Sequence, residues 1–147
     1  MKKYEFTGET KQVGFFGNIT LKRIRATMEF GIIKIGDLGG WIEKEENLSH
    51  KGDAWVWGNA EVYGNAEVFS ISHVLVVGPI GSRNDFTTFF RDKDSEITVK
   101  CGCFLGKIDK FLEKVCETHG DSKYAIVYRT AVEIAKQQID LSEEKQA

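Results

Sequence analysis

The chain has 147 residues, 41% of them hydrophobic and 29% charged, with a formal net charge of -2. That balance excludes a disordered chain, and ten Phe, four Tyr and three Trp can fill a core without covalent staples. No basic stripe suited to a phosphate backbone, no leader and no long apolar run is visible, and three cysteines suit free thiols in a reducing cytoplasm, so neither direct nucleic-acid binding nor a membrane is expected.

Residues 3 to 30 read as β-structure. "KYEF" and "NITLKRIRATMEF" alternate apolar with charged residues, with a slip of register near Ile24, and Gly14, Gly17 and Asn18 mark turns between them. "GDLGGWIEKEENLSHKGD" reads as an irregular connection. Residues 54 to 71 then repeat with a period of six: Ala54, Ala60 and Ala66, with Val56, Val62 and Val68 two places on, and Gly58-Asn59 followed by Gly64-Asn65.

That hexad is the signature of a left-handed β-helix, in which Ala and Val point inward and Gly-Asn turns the corners. Three hexads would close one triangular coil of about eighteen residues, which would stack Leu38, Val56 and Val74. A solenoid this short must lean on another lobe or another chain, and its unpaired strand edges imply a homo-oligomer.

After Val77 the texture changes. "HVLVVGPIGSRND" reads as a buried strand ending in a Gly-Pro loop, "FTTFFRD" as a second strand and "EITVKCGCF" as a third. "KIDKFLEKVCETHGD" is an amphipathic helix with Ile108, Phe111, Leu112, Val115 and Cys116 at helical spacing and Gly120 ending it; "SKYAIVYRTAVEIAKQQI" is a second, capped by Asp121 or Ser122. The predicted class is α+β and β-rich: a lobe at 1–77 holding a truncated hexapeptide β-helix, a three-strand, two-helix lobe at 78–140, and a frayed tail at 141–147.

"YEFTGETK", "GDLGGWIEKEENLSH" and "GDAWVWGNAEVYGNAEV" together resemble phage and prophage proteins of the Firmicutes that carry hexapeptide-like repeats, and "VGPIGSRNDFTTFFRDKD…VKCGCFLGKIDKF…THGD" resembles the domain that closes many of them. The resemblance covers nearly the whole chain. It implies the β-helical fold and a small phage accessory protein of the bacterial cytoplasm, a class that often interferes with host defence.

The strongest ligand candidate is "GPIGSRNDFTT". Gly78 and Gly81 would let backbone amides approach a ligand, and Ser82, Arg83, Asn84, Thr87 and Thr88 offer donors for phosphate or carboxylate oxygens. Asp85 could pair with Arg83 or accept from a ribose hydroxyl. The order Gly-Lys-Ser/Thr is missing, so this is no Walker loop, and a polar turn in which Asn84 and Asp85 bond their own backbone is the competing reading.

Other candidates are thinner. His73 beside the repeat could act as an acyltransferase base, but one coil gives no groove for an acyl-donor arm, and a packing histidine is the simpler reading of it, as it is for His50. Cys101, Cys103, Cys116 and His119 offer four soft ligands, but their spacing is not that of a zinc knuckle and Cys116 falls on the apolar stripe; no metal or cofactor is expected. The acidic run Glu43 to Glu46 reads as a solvated face, too short for nucleic-acid mimicry.

The sequence thus predicts a non-catalytic binding protein that antagonises host antiviral defence by sequestering a nucleotide signal at residues 78 to 88. The alternatives are a protein-binding inhibitor of a defence nuclease, anti-CRISPR-like in action, and a vestigial hexapeptide acyltransferase.

Overall fold

A computed structural model describes residues 1–142; most of the expected tail at 141–147 lies outside them. The described residues form two four-stranded sheets and two α-helices. The first sheet has the order β1 (Tyr4–Val13), β2 (Ile19–Ala26), β3 (Leu38–Ile42) and β4 (Glu61–Val62). β1 and β2 make an antiparallel hairpin whose register shifts between Phe6 and Thr10, and the β2–β3 register shifts between Arg23 and Arg25, around Ile24. On β2, Leu21, Ile24 and Ala26 bury while Lys22, Arg23 and Arg25 stay partly exposed.

The short left-handed β-helix does not form, and the first sheet takes its place. Leu38 is half-exposed opposite Arg25 in β2, whereas Val56 and Val74 lie in the first core. Parallel pairing is brief: Trp41 faces Glu61, Ile42 faces Val62, and Leu48 bridges Val68, partners twenty rather than eighteen residues apart. The hexads do set burial, since Ala54, Val56, Ala60, Val62, Ala66 and Val68 all lie inside. They do not set the pairing. One lap of chain offers no second coil to satisfy its strand edge, and the β1–β2 hairpin supplies antiparallel partners instead.

The stretch expected to be an irregular connection contains β3, and glycine explains its position. Gly40 donates to the Val56 carbonyl (2.8 Å) and Trp41 to that of Ala60 (3.0 Å). A Cβ on Gly40 would lie 2.1 Å from the Trp57 carbonyl oxygen, so only glycine admits this approach. Asn47, fully buried, ties the following turn to the repeat: its Oδ1 accepts from the Glu43 and Lys44 amides and its Nδ2 donates to the carbonyls of Gly64 and Ala66.

The second sheet runs β5 (Val74–Ile80), β6 (Asp85–Arg91), β7 (Ile97–Cys101) and β8 (Phe104–Lys107), all antiparallel. It has four strands rather than the expected three. "EITVKCGCF" folds back on itself, with Cys101 facing Phe104 across a two-residue turn at Gly102-Cys103. Helices α1 (Ile108–His119) and α2 (Lys123–Gln138) cover one face of this sheet. Phe111 and Val115 of α1 meet Ala125, Tyr128, Ala131, Val132 and Ala135 of α2, whose small residues let the helix approach closely. Cys116 is exposed, one position past that stripe, and does not pack in the core. Neither helix is long and apolar enough to cross a membrane.

β6 serves both cores. Phe89 enters the helix-side core and Phe90, on the opposite face, enters the first. Polar contacts reinforce the junction: the Glu61 amide donates to Thr88 Oγ1 (3.0 Å), and the Glu61 carboxylate takes Lys100 Nζ (2.6 Å) and Lys11 Nζ. In the β6–β7 loop, Lys107 Nζ sits among Asp92 (2.8 Å), Asp94 (2.9 Å) and Glu96 (3.2 Å). Burial works against the Lys107 charge, but these hydrogen bonds outweigh it and hold the ammonium above its ordinary range.

Lys3 is buried with its Nζ donating to the Ala54 carbonyl (2.6 Å) and lying 4.6 Å from the centre of the Phe30 ring. Burial lowers its pKa to about 8 against the pull of Asp53. Between that value and the ordinary one near 10.5 the unfolded chain holds more protons than the folded chain, so this residue makes stability rise with pH across the window. Denaturant midpoints measured from about pH 8 to about pH 10 should therefore climb less in Lys3→Met than in the parent, by at most about 3 kcal/mol. Gly40→Ala should lose about 3 kcal/mol or more of stability in urea titrations, because the new methyl meets backbone oxygen rather than a side chain that can turn away.

Candidate cleft between the second sheet and its helices

The hairpin joining β5 to β6 turns at residues 81 to 84, closed by the Asn84 amide donating to the Gly81 carbonyl (3.3 Å), with Asn84 in the left-handed region at φ 49°. This turn forms one rim of a cleft of about 580 Å³. Ser82, Arg83 and Asp85 line it. Asn84 is exposed at the turn and is not part of the lining. Thr87 and Thr88 are spent inside the fold: both are buried, Thr87 donating to Cys101 Sγ (3.5 Å) and Thr88 accepting from the Glu61 amide. Strand pairing starts at Asp85, so the polar run borders the cleft for only its first half.

The other walls come from residues that the sequence reading does not assign to a ligand cleft: Cys101, Cys103 and His119 are weighed there as metal ligands, Phe111 as core, and Lys114, Thr118 and Tyr128 not at all. α1 contributes Phe111, Lys114, Thr118 and His119; α2 contributes Tyr128; the β7–β8 turn contributes Cys101, Cys103 and Phe104. Tyr128 is central. Its ring lies edge-on to Phe111 (5.7 Å between centroids) and stacked with His119 (5.6 Å, 30°). Burial first, then the neighbouring Cys101, push the Tyr128 hydroxyl up to about 12. Gly81 makes room for that hydroxyl: a Cβ there would lie 1.9 Å from it.

Charge on the cleft is unbalanced. Among the described residues, neither Arg83 nor Lys114 has a hydrogen-bond or ion-pair partner, while nearby Lys110 pairs with Glu113. Asp85 does not pair with Arg83; its Oδ1 accepts from the Phe86 amide (2.7 Å). The Arg83 guanidinium lies along the β7–β8 turn, 3.6 Å from where a Cβ on Gly102 would stand. Two unpaired cations beside aromatic rings and hydroxyls suit an anionic ligand with a planar ring.

The remaining candidates fall elsewhere. His73 is buried against Phe69, its Nδ1 accepting from the Phe69 amide (3.2 Å). His50 accepts from the Lys3 amide and stacks on Tyr4 at 3.9 Å. Glu45 takes Lys2 and His50, and Glu43 accepts from the Gly64 amide, so half of the acidic run holds the fold. Among the described residues no set of three or more His, Cys, Asp or Glu side chains is arranged to hold a metal ion, the three cysteines and His119 included. Two features of the sequence could have pointed toward the cleft, though the sequence reading does not take them that way: Lys114 and Thr118 share one helical face, and Phe15-Phe16 stands between glycines where a turn is usually polar.

No family model matches the chain, and no curated protein matches it.

Gly81→Ala should displace Tyr128 and uncover Cys101. In a background lacking Cys103 and Cys116, the rate of thiol labelling by an aromatic disulfide should rise several-fold over the Gly81 parent; an unchanged rate would mean that Tyr128 does not guard this thiol.

Proposed function

We propose that the protein is a non-catalytic binder of a nucleotide-class ligand, held in the cleft under the β5–β6 turn, and that it acts by sequestering such a signal from host antiviral defence. The observation that carries the ligand class is the pair of cations, Arg83 and Lys114, unpartnered among the described residues and set beside the stacked His119 and Tyr128 rings. Phosphate oxygens would take the guanidinium and ammonium, and a base would lie against the rings. Ser82 and Thr118 supply neutral hydroxyls, and Asp85 offers an acceptor for a sugar hydroxyl. The defence context comes from the phage-protein resemblance of the repeat and of the "GPIGSRNDFTTFFRD" segment.

A protein-binding inhibitor of a defence nuclease is the second reading. It is favoured by exposed apolar residues along α2, where Ile126, Val127 and Ile134 face outward. The same stripe and the outer edge of β1 are where the expected self-association would form. The acyltransferase reading is not carried forward, because its groove ran along a β-helix that this chain does not build.

Isothermal titration with AMP, ADP, cyclic AMP and cyclic di-AMP tests the first reading. At least one should bind, and Arg83→Ala should weaken it roughly ten- to hundredfold through loss of charge-assisted hydrogen bonds. No heat with any of them, together with capture of a host protein that is indifferent to nucleotides, would replace it with the second.

A further inference from the structure

One lining residue of the cleft comes from the other sheet. Phe15 sits at the tip of the β1–β2 hairpin, yet it borders the same cavity as Arg83 and Tyr128. The tip is the four-residue turn Gly14-Phe15-Phe16-Gly17, closed by the Gly17 amide donating to the Gly14 carbonyl (3.1 Å). Its two phenylalanines are 81% and 83% exposed, which is more than either needs for a place on the hairpin. They pack edge-to-face on each other at 5.0 Å, so Phe16 braces Phe15. Gly14 and Gly17 both hold positive φ, at 95° and 64°, and a Cβ on Gly17 would touch nothing within 4 Å. The tip is thus an aromatic pair held between two glycines in the left-handed region, with open space around Gly17.

We propose that Phe15 is the specificity-determining residue of the cleft, a clamp that closes onto the planar ring of a ring-bearing phosphate ligand. This rests on the nucleotide reading of the cleft. The stacked His119 and Tyr128 rings give the ligand ring one aromatic wall, and Phe15 is the part of the lining supplied by the first sheet, able to give it another. Arg83 and Lys114 recognise the phosphates, which any phosphate compound carries. Phe15 recognises the ring, which separates a nucleotide from inorganic phosphate or pyrophosphate. A side chain kept mostly in water until the ligand arrives contributes little to the free fold and much to the bound state, because it loses its exposed apolar surface only on closure.

The test is isothermal titration of the full chain with ADP and with pyrophosphate, for the parent, Phe15→Ala, Phe15→Trp and Arg83→Ala. The parent should bind ADP roughly tenfold or more tightly than pyrophosphate. Phe15→Ala should erase that preference while leaving pyrophosphate affinity unchanged, Phe15→Trp should keep it with a change in indole fluorescence on ADP binding, and Arg83→Ala should weaken both compounds. Because Phe15 is exposed, the thermal unfolding of Phe15→Ala should match the parent and rule out misfolding as the cause. If Phe15→Ala binds ADP as the parent does while Arg83→Ala does not, the clamp falls and the nucleotide site stands. If the parent binds neither compound, the clamp falls whatever else the nucleotide screen finds. If Phe15→Ala instead converts an oligomer to a monomer in sedimentation equilibrium with ADP affinity unchanged, the tip is a self-association surface and the clamp is overturned.

Discussion

The back-to-back burial of Phe89 and Phe90 on β6 sets the position of everything else in this protein. Consecutive residues of a strand point to opposite faces, so one two-residue step commits β6 to two hydrophobic cores at once. The first core then leans on the back of the second sheet, and the helices close its front. The Glu61 amide donates to Thr88 Oγ1 and fixes the join, and Lys100 pairs with the carboxylate of the same glutamate. A truncated repeat that could not stand as a solenoid therefore has no need to, because its open side is a wall of the neighbouring sheet rather than another coil.

That arrangement places the cleft. The helices can spread their aromatic side chains over the sheet only on the side the first core leaves free, and the β5–β6 turn rises at the rim of that side. Tyr128 fills the gap under Gly81, and burial beside Cys101 raises the pKa of its hydroxyl. Arg83 and Lys114 stand on opposite elements, one on a turn and one on a helix, so their charges converge only in the folded chain. Phe15 reaches the same space from the far sheet, which couples the orientation of the two sheets to the shape of the site.

Much of the fold was legible as burial and little as pairing. The hexads identified six inward residues correctly because packing rewards a small apolar residue at each inward point whatever the strand direction. They misassigned the architecture because hydrogen-bond partners depend on which edge is nearest, and the β1–β2 hairpin is nearer than any further coil. Both helices were readable from apolar spacing, whereas the β7–β8 hairpin was hidden because Ile97, Val99, Cys101 and Cys103 continue one alternation straight across the turn at Gly102-Cys103. At the site, "GSRND" drew attention through its polar chemistry, and Ser82, Arg83 and Asp85 do face the cleft. Thr87 and Thr88 look equally polar but follow the start of strand pairing. Tyr128 and Phe111 sit on helices that read as ordinary core, and His119 drew attention only as a metal ligand, since a helical period cannot say which aromatic ring borders a cavity.

The β6–β7 loop carries its own cation. Asp92, Asp94 and Glu96 gather three carboxylates around one point, a composition that in other loops is held together by a dissolved divalent ion. Here the counter-charge is Lys107, covalently attached at the residue where β8 ends and α1 begins. The charge that balances this corner is thus carried by the chain itself, and the same ammonium ties the root of the first helix to the loop between β6 and β7.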